Sequence, residues 1–549
     1  MREITTLVQT QGSDLNEVLI AGAKMLGCSF ASVITTFIVG YFIARVAAGL
    51  SKTLRELVFY KTVEFSKSEI NKFSTPSLIT RTTNDITQVQ LTIAIGAQAL
   101  VRAPIMAIWA SLKIADKNWQ WAAITAGAVL IIVVVMGAIS AVVIPKFRMM
   151  QTLTDNLNRV SRENLTGIRV VRANNAEEFQ QNKFEKANSD LTNTQLFTSR
   201  RMAFMFPTIQ FVMSGLTLAI YWSGVFIIND AVVPERLGIF SNMVVFSSYA
   251  MQIVMAFMML VAVFIFVPRA MVAAKRINEV VQTKVSIVDG ADNLNEADES
   301  GTIEFRHVSF KYPDAEEPIL HDINLKINKG ETVAFIGSTG SGKSSVIQLI
   351  PRFYDCSDGQ VFVDGKDVKT LDQKTLRDKI GFVTQTPVLF KGTIKSNIEY
   401  GTSTDDEELL EKALEVSQSQ EFVCKLENGV ESEVAQGGTN FSGGQKQRLA
   451  IARAIYKNPE IFIFDDSFSA LDFKTDKKLR NALGELTAGS TKLIVAQRIG
   501  TIIDADQIVV LDSGRIVGIG KHADLLKTCE VYREIAQSQL SEEELKNAR

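Results

Sequence analysis

Long apolar runs fill the first half of the chain and are missing from the second. Met25 to Ala44 carries no charge over 20 residues, enough for a helix to cross about 30 Å of hydrocarbon. A second run, from about Leu91 to Leu112, is broken by Arg102 and Pro104. Trp119 to Ile144, Met202 to Asn229 and Leu237 to Val267 complete a set of five. No soluble fold needs five such stretches, so residues 1–275 are expected to form an all-α polytopic membrane domain. The connections at 74–90 and 158–188 mix apolar and charged residues at helical spacing. They read either as solvated helical stalks or as elements whose tips dock on the second half and transmit its motion.

Residues 276–300 are polar and acidic and read as a linker. From Gly301 the pattern changes to short strands, TIEFRHVSF, HDINLKI and TVAFIG, followed by mixed α/β sequence. Residues 301–540 are thus expected to be an α/β domain, and 541–549 a polar tail.

Charge orients the chain. The segment Arg45 to Asp85 carries Arg45, Lys52, Arg55, Lys61, Lys67, Lys72 and Arg81, and Lys146 to Arg201 is also rich in cations. The connections at 116–118 and 229–236 are short and nearly neutral. The two cationic loops, and with them the α/β domain, are therefore expected in the cytoplasm of a multi-pass cell-membrane protein. Five spans then leave residues 1–20 outside, although nothing there could carry them across; one further span is expected ahead of Met1. Net charge is −2, which gives no reason to expect nucleic acid as a partner. Four scattered cysteines without a CxxC pair argue against a disulfide framework or zinc site. Arg102 is read as lying at the headgroups. Met251, Met255, Met258 and Met259, at helical spacing, are read as packing positions rather than an adaptable ligand cavity.

The chemistry is concentrated in the second half. GSTGSGKSS, comprising Gly337, Ser338, Thr339, Gly340, Ser341, Gly342, Lys343, Ser344 and Ser345, lies between an apolar strand and a helix. That arrangement is a phosphate-cradling loop (P-loop): glycines let backbone N–H groups close on phosphate, and the helix points its positive end at the anion. Lys343 reaches the terminal phosphates of ATP and Ser344 can ligate Mg²⁺. IFIFDD at 461–466 is a buried strand ending in acids, placing Asp465 to hold Mg²⁺ through water. FSGGQKQRLAIARAI offers a second phosphate-binding helix start at Ser442, Gly443, Gly444 and Gln445. One chain rarely needs two for one nucleotide, so one is expected to serve a neighbour.

Together with SALD at 469–472, these motifs in this order resemble an ATP-binding cassette, an α/β P-loop ATPase. With the membrane domain ahead of it, the chain resembles an exporter-type ABC half-transporter of the bacterial multidrug kind. The resemblance implies that Tyr312 stacks on adenine, that Gln385 contacts Mg²⁺ and senses the membrane domain, and that Asp472 lies at a dimer interface. It implies that AQGG at 435–438 meets the cytoplasmic loops, and that two cassettes sandwich two ATP molecules, each between one phosphate loop and the other chain's signature. The implied cargo is a hydrophobic or amphipathic small molecule.

Two positions depart from that pattern. Asp466 stands where the family has a water-polarising glutamate, and Gln497 where it has a histidine; the only histidines are His307, His321 and His522. Glutamine can hydrogen-bond a phosphate but cannot move a proton. The signature matches the family. The chain therefore resembles the degenerate-site subunit of a heterodimeric exporter, with a different half-transporter as partner. The alternatives are a homodimeric lipid or peptide exporter and a regulatory ATP-gated subunit.

Overall fold

Apolar sequence with few helix breakers yields very long helices. In the computed structural model, α1 is Leu15–Glu64, α2 Lys67–Phe73, α3 Thr75–Ala115, α4 Trp119–Thr166, α5 Ile168–Ala173, α6 Glu177–Ala203, α7 Met205–Asp230 and α8 Val233–Gln282. The structure describes residues 15–115, 118–292, 300–402 and 404–540. The tail at 541–549 and most of the acidic end of the linker lie outside the described residues. Two compact units result, Met1–Lys61 with Pro76–Gln282, and Thr62–Thr75 with Thr283–Arg549.

Among the described residues, five helices of the first unit are long and apolar enough to cross a membrane. They contain the five apolar runs. Their core forms around Trp121, Ile220, Met243 and Phe246, with the Trp121 and Phe246 rings 5.4 Å apart. Gly224 admits this packing: a Cβ there would collide with the Met243 sulfur. A π-helical turn at Arg81–Asp85 brings both of its charged residues inward. Arg81 meets Glu279 at 3.0 Å and Asp85 meets Arg276 at 3.4 Å, tying α3 to α8. Helix α8 runs beyond residue 275 because Ala273, Ile277 and Val280 bury one continuing apolar face. The polar linker accordingly starts after Gln282 rather than at 276.

In the second unit, strands β1 (Ile303–Phe310), β2 (Leu320–Ile327), β4 (Asp358–Val363) and β5 (Lys366–Asp367) form an antiparallel sheet. Besides a two-stranded ribbon pairing Gly392–Thr393 with Glu433–Val434, a second large sheet has six strands. They are β3 (Thr332–Gly337), β6 (Ile380–Val383), β7 (Ile461–Asp465), β8 (Thr491–Val495), β9 (Gln507–Asp512) and β10 (Arg515–Gly520). Their order is β10-β9-β3-β8-β7-β6, parallel except for the edge strand β10. β3 and β7 read as nearly continuous apolar runs because both faces are covered. The carboxyl ends of β3 and β7 lie side by side with β8 between them, which is where ligands bind in open α/β sheets. The fold is thus a helical transmembrane region followed by a sheet-containing ATPase domain.

Candidate nucleotide site

Strand β3 delivers the chain into the phosphate loop, and helix α9 (Lys343–Leu349) leaves it. Gly337 has φ 155° and Gly342 φ 96°, and a Cβ at either would strike Leu511 or Leu320. Only glycine fits at both points. Lys343 folds its ammonium across the loop, donating to the carbonyl oxygens of Gly337 at 2.8 Å and Ser338 at 2.7 Å. Burial pushes its pKa down, while Asp466 and Asp465 pull it back up.

The serine and the aspartate expected to share a cation are in direct contact. Ser344 Oγ donates to Asp465 Oδ1 at 2.7 Å. Burial raises the Asp465 pKa; the Ser344 bond opposes that and the neighbouring Asp466 adds to it. Two hard oxygen donors beside a glycine cradle and a buried ammonium suit a magnesium–nucleotide pair: Ser344 and Asp465 would hold the ion, Lys343 the phosphates. The ion would supply charge neutralisation at the phosphates.

Asp466 has a different set of contacts. Its Oδ2 accepts from Gln497 Nε2 at 2.7 Å and Gln385 Nε2 at 3.3 Å. Its backbone is left-handed, φ 48°, and its N–H donates to Val495 at 3.0 Å. Burial raises its pKa against the hydrogen bonds from Gln385, Ser469 and Gln497. The fold therefore gathers Gln385, Asp466 and Gln497, three residues far apart in sequence, around one carboxylate oxygen.

Tyr312 donates to or accepts from Ser345 Oγ at 2.9 Å, and its ring sits edge-on to Phe310 and Tyr354 at 4.7 and 5.2 Å. The remaining expected residues lie apart from this cluster. Ser442 caps helix α10 (Gly443–Tyr456) in a reciprocal box with Gln445, at 2.8 and 3.3 Å. Ser442 and Gly443 are exposed, and no described hydrogen bond joins them to the phosphate loop. Asp472 caps helix α11 (Phe473–Leu486), accepting from the Thr475 N–H at 3.0 Å, which holds its carboxyl below the usual range.

One participant is not evident from sequence. Helix α2 belongs to the same unit as the ATPase fold. Its Lys67 donates to Gln348 at 3.2 Å and lies 5.9 Å from the centre of the Tyr354 ring, while its charge lowers the Asp465 pKa. Glu69 caps α2 through Ser66 and also accepts from the Ser286 N–H at 3.3 Å. The S-x-x-E box marks the helix start, but nothing local to it names Tyr354.

Comparison with known proteins agrees with this layout. Residues 320–469 match the ABC transporter family model and residues 4–257 the ABC transporter transmembrane region. An uncharacterized ABC transporter ATP-binding protein of Mycobacterium bovis is 38% identical over 530 residues, covering 96% of this chain and 90% of that protein. The chain belongs to the ABC transporter family. YfiB of Bacillus subtilis, an uncharacterized ABC transporter ATP-binding protein, is 34% identical, covering 96% of this chain and 91% of its own length. The ATP-dependent lipid A-core flippase of Saccharophagus degradans is 31% identical, covering 91% of this chain and 84% of its own. The solved structure of a bacterial Atm1-family ABC exporter with ATP bound superposes with a TM-score of 0.80 at 24% identity, covering 98% of this chain and 95% of that one. This ABC exporter half-transporter accordingly joins a multi-pass transmembrane region to an ATP-binding domain whose hydrolysis is coupled to transport.

Proposed function

We propose that this half-transporter is the ATP-retaining subunit of a heterodimeric exporter in the cell membrane. One observation carries the reading: one oxygen of the carboxylate in the position of a general base is already engaged by the amides of both Gln385 and Gln497. A base must offer a lone pair to the attacking water. Asp466 presents a shorter arm than glutamate, and Gln497 accepts no proton from it. ATP–Mg²⁺ is held by Lys343, Ser344, Ser345 and Asp465 with Tyr312 at the adenine, and turns over slowly. The exposed Ser442 to Gln445 turn completes the partner's site, Asp472 faces the dimer interface, and hydrolysis there drives export of an amphipathic compound. The membrane helices within residues 1–275 carry the cargo pathway and 301–540 the cassette, on which 62–75 pack. The relatives named lipid A-core flippase favour a lipid as second choice of cargo.

The test is purification of the chain alone and with its partner half-transporter. Slow ATPase alone and fast ATPase in the pair are expected. Vigorous hydrolysis by the chain alone would contradict the asymmetric reading.

A further inference from the structure

Helix α7 divides into three faces. Ile209, Val212, Leu216, Ile220 and Gly224 are buried in the first unit. Phe211, Trp222, Val225 and Phe226 are exposed apolar residues, suited to lipid. Between the two runs a third line, Gln210, Ser214, Thr217 and Tyr221, spaced 4, 3 and 4 residues apart and so confined to an arc of about 60°. These four, with Met213 and Leu218, line an open groove of about 350 Å³ that Met251 borders on the α8 side.

Depth makes this line unusual. With 26 residues, α7 is about 39 Å long, and the line starts about 8 Å from one end and stops about 14 Å from the other. It therefore lies at the level of the hydrocarbon. Amides and hydroxyls at that depth are costly against lipid and are kept facing a protein or aqueous interior. Thr217 meets its own need by donating to the Met213 carbonyl at 3.1 Å, which leaves its lone pairs available. Among the described residues, the Gln210 amide, Ser214 hydroxyl and Tyr221 phenol have no hydrogen-bond partner. Among the described residues, no charged side chain lines the groove. The nearest charges along the chain, Arg201 and Asp230, are each nine residues away, about 14 Å along the helix.

We propose that this groove binds the headgroup of an electrically neutral amphiphile, one presenting hydroxyl, ester or amide groups and no phosphate. Gln210 and Tyr221 donate to its oxygens, Ser214 and Thr217 accept from its hydroxyls, and the soft side chains of Met213 and Met251 adapt to the start of its chain. A phosphate entering here would lose its hydration with no cation to replace it. The inference rests on the exporter reading and narrows its cargo: a phosphorylated lipid is disfavoured at this site.

The test uses the full chain paired with its partner half-transporter in phosphatidylcholine nanodiscs. Binding of labelled monoolein is compared with that of its phosphorylated counterpart, oleoyl lysophosphatidic acid. Saturable monoolein binding is expected, at least tenfold tighter than the phosphorylated probe. The Q210L/Y221F variant should bind monoolein about a hundredfold more weakly, at roughly tenfold per lost hydrogen bond, with ATP binding unchanged. Met213→Leu, which keeps volume and removes no donor, should change affinity less than threefold. Absence of saturable monoolein binding, equal or tighter binding of the phosphorylated probe, or unchanged affinity in Q210L/Y221F would overturn the proposal. So would full protection of Ser214→Cys from a maleimide without monoolein, since a protein helix would then cover the groove. Loss of ATP binding in the wild type would be a failure of the exporter reading instead, and is measured separately.

Discussion

Gln497 donates its side-chain amide to Asp466 Oδ2 at 2.7 Å, so the segment after β8 is fastened to the acid after β7. Asp466 also sits at φ 48°, a conformation that aspartate adopts more readily than glutamate. On the ATP-retaining reading proposed above, two things separate this site from a fast one, arm length and an engaged lone pair. Asp466→Glu alone should raise hydrolysis a few-fold, and Asp466→Glu with Gln497→His on the order of a hundredfold, the scale of a restored general base. Single-turnover hydrolysis in the pair, with the partner's site silenced, checks this. An inert double variant would remove Asp466 as the slow element.

Lys343 is a buried cation of the phosphate loop, and it donates to the loop carbonyls of Gly337 and Ser338. Lys343→Ala should lower ATP occupancy at this loop by about a hundredfold, the loss of two or three charge-assisted hydrogen bonds. Retention of nucleotide after rapid filtration measures it; undiminished occupancy would show that the glycine cradle suffices.

Asp465 is an acid that burial penalises when charged. Its folded pKa lies above its ordinary value of 3.8, so the folded state binds the proton more tightly than the unfolded one. The nucleotide-free protein consequently loses stability as pH rises through the interval between those two values, and carries the full penalty at neutral pH. Asp465→Asn should raise the Tm without nucleotide by a few degrees at pH 7 and by nothing near pH 3. The same variant should no longer be stabilised by magnesium–ATP. A lower Tm at pH 7 would mean that the carboxylate is needed for folding as well as for the ion.

Glu69 has the opposite sign. Burial raises its pKa, but hydrogen bonds from Ser66 and Ser286 outweigh that and leave it lowered. Its contribution is present above pH 4.5, its ordinary value, and fades as pH falls through the lowered one. Glu69→Ala should cost about 1–2 kcal/mol at pH 7, the value of a helix cap with a further hydrogen bond. Glu69→Gln should flatten the acid limb of the stability curve. Hydrogen exchange at residues 66–73 reads both, and unchanged protection there would sink the anchoring role.

Length and apolarity alone predicted the five long helices, because a span needs only about 20 uncharged residues. The phosphate loop was legible for a similar reason: Gly337 and Gly342 are obligatory where a side chain would strike Leu511 or Leu320. Less legible was what converges on it. Gln385, Asp466 and Gln497 meet only through the order of β6, β7 and β8 in the sheet, which is a long-range property. Lys67 was missed because its partners Gln348 and Tyr354 lie about 280 residues away, and a lysine in a cationic loop looks like one more orienting charge. The methionines divided: Met251 borders the α7 groove, while Met258 packs on the transmembrane core. Periodicity cannot separate those fates.

The ATPase unit is not contiguous in the chain: residues 62–75 belong to it, and the rest begins only at Thr283. Synthesis proceeds at about 5–20 residues per second, so α2 emerges roughly 10–45 s before the strands that will receive it. During that wait Lys67 has no Tyr354 and Glu69 no Ser286. This joint of the cassette therefore closes only after a long delay in synthesis, and the capping box favours the short helix α2 locally during that delay.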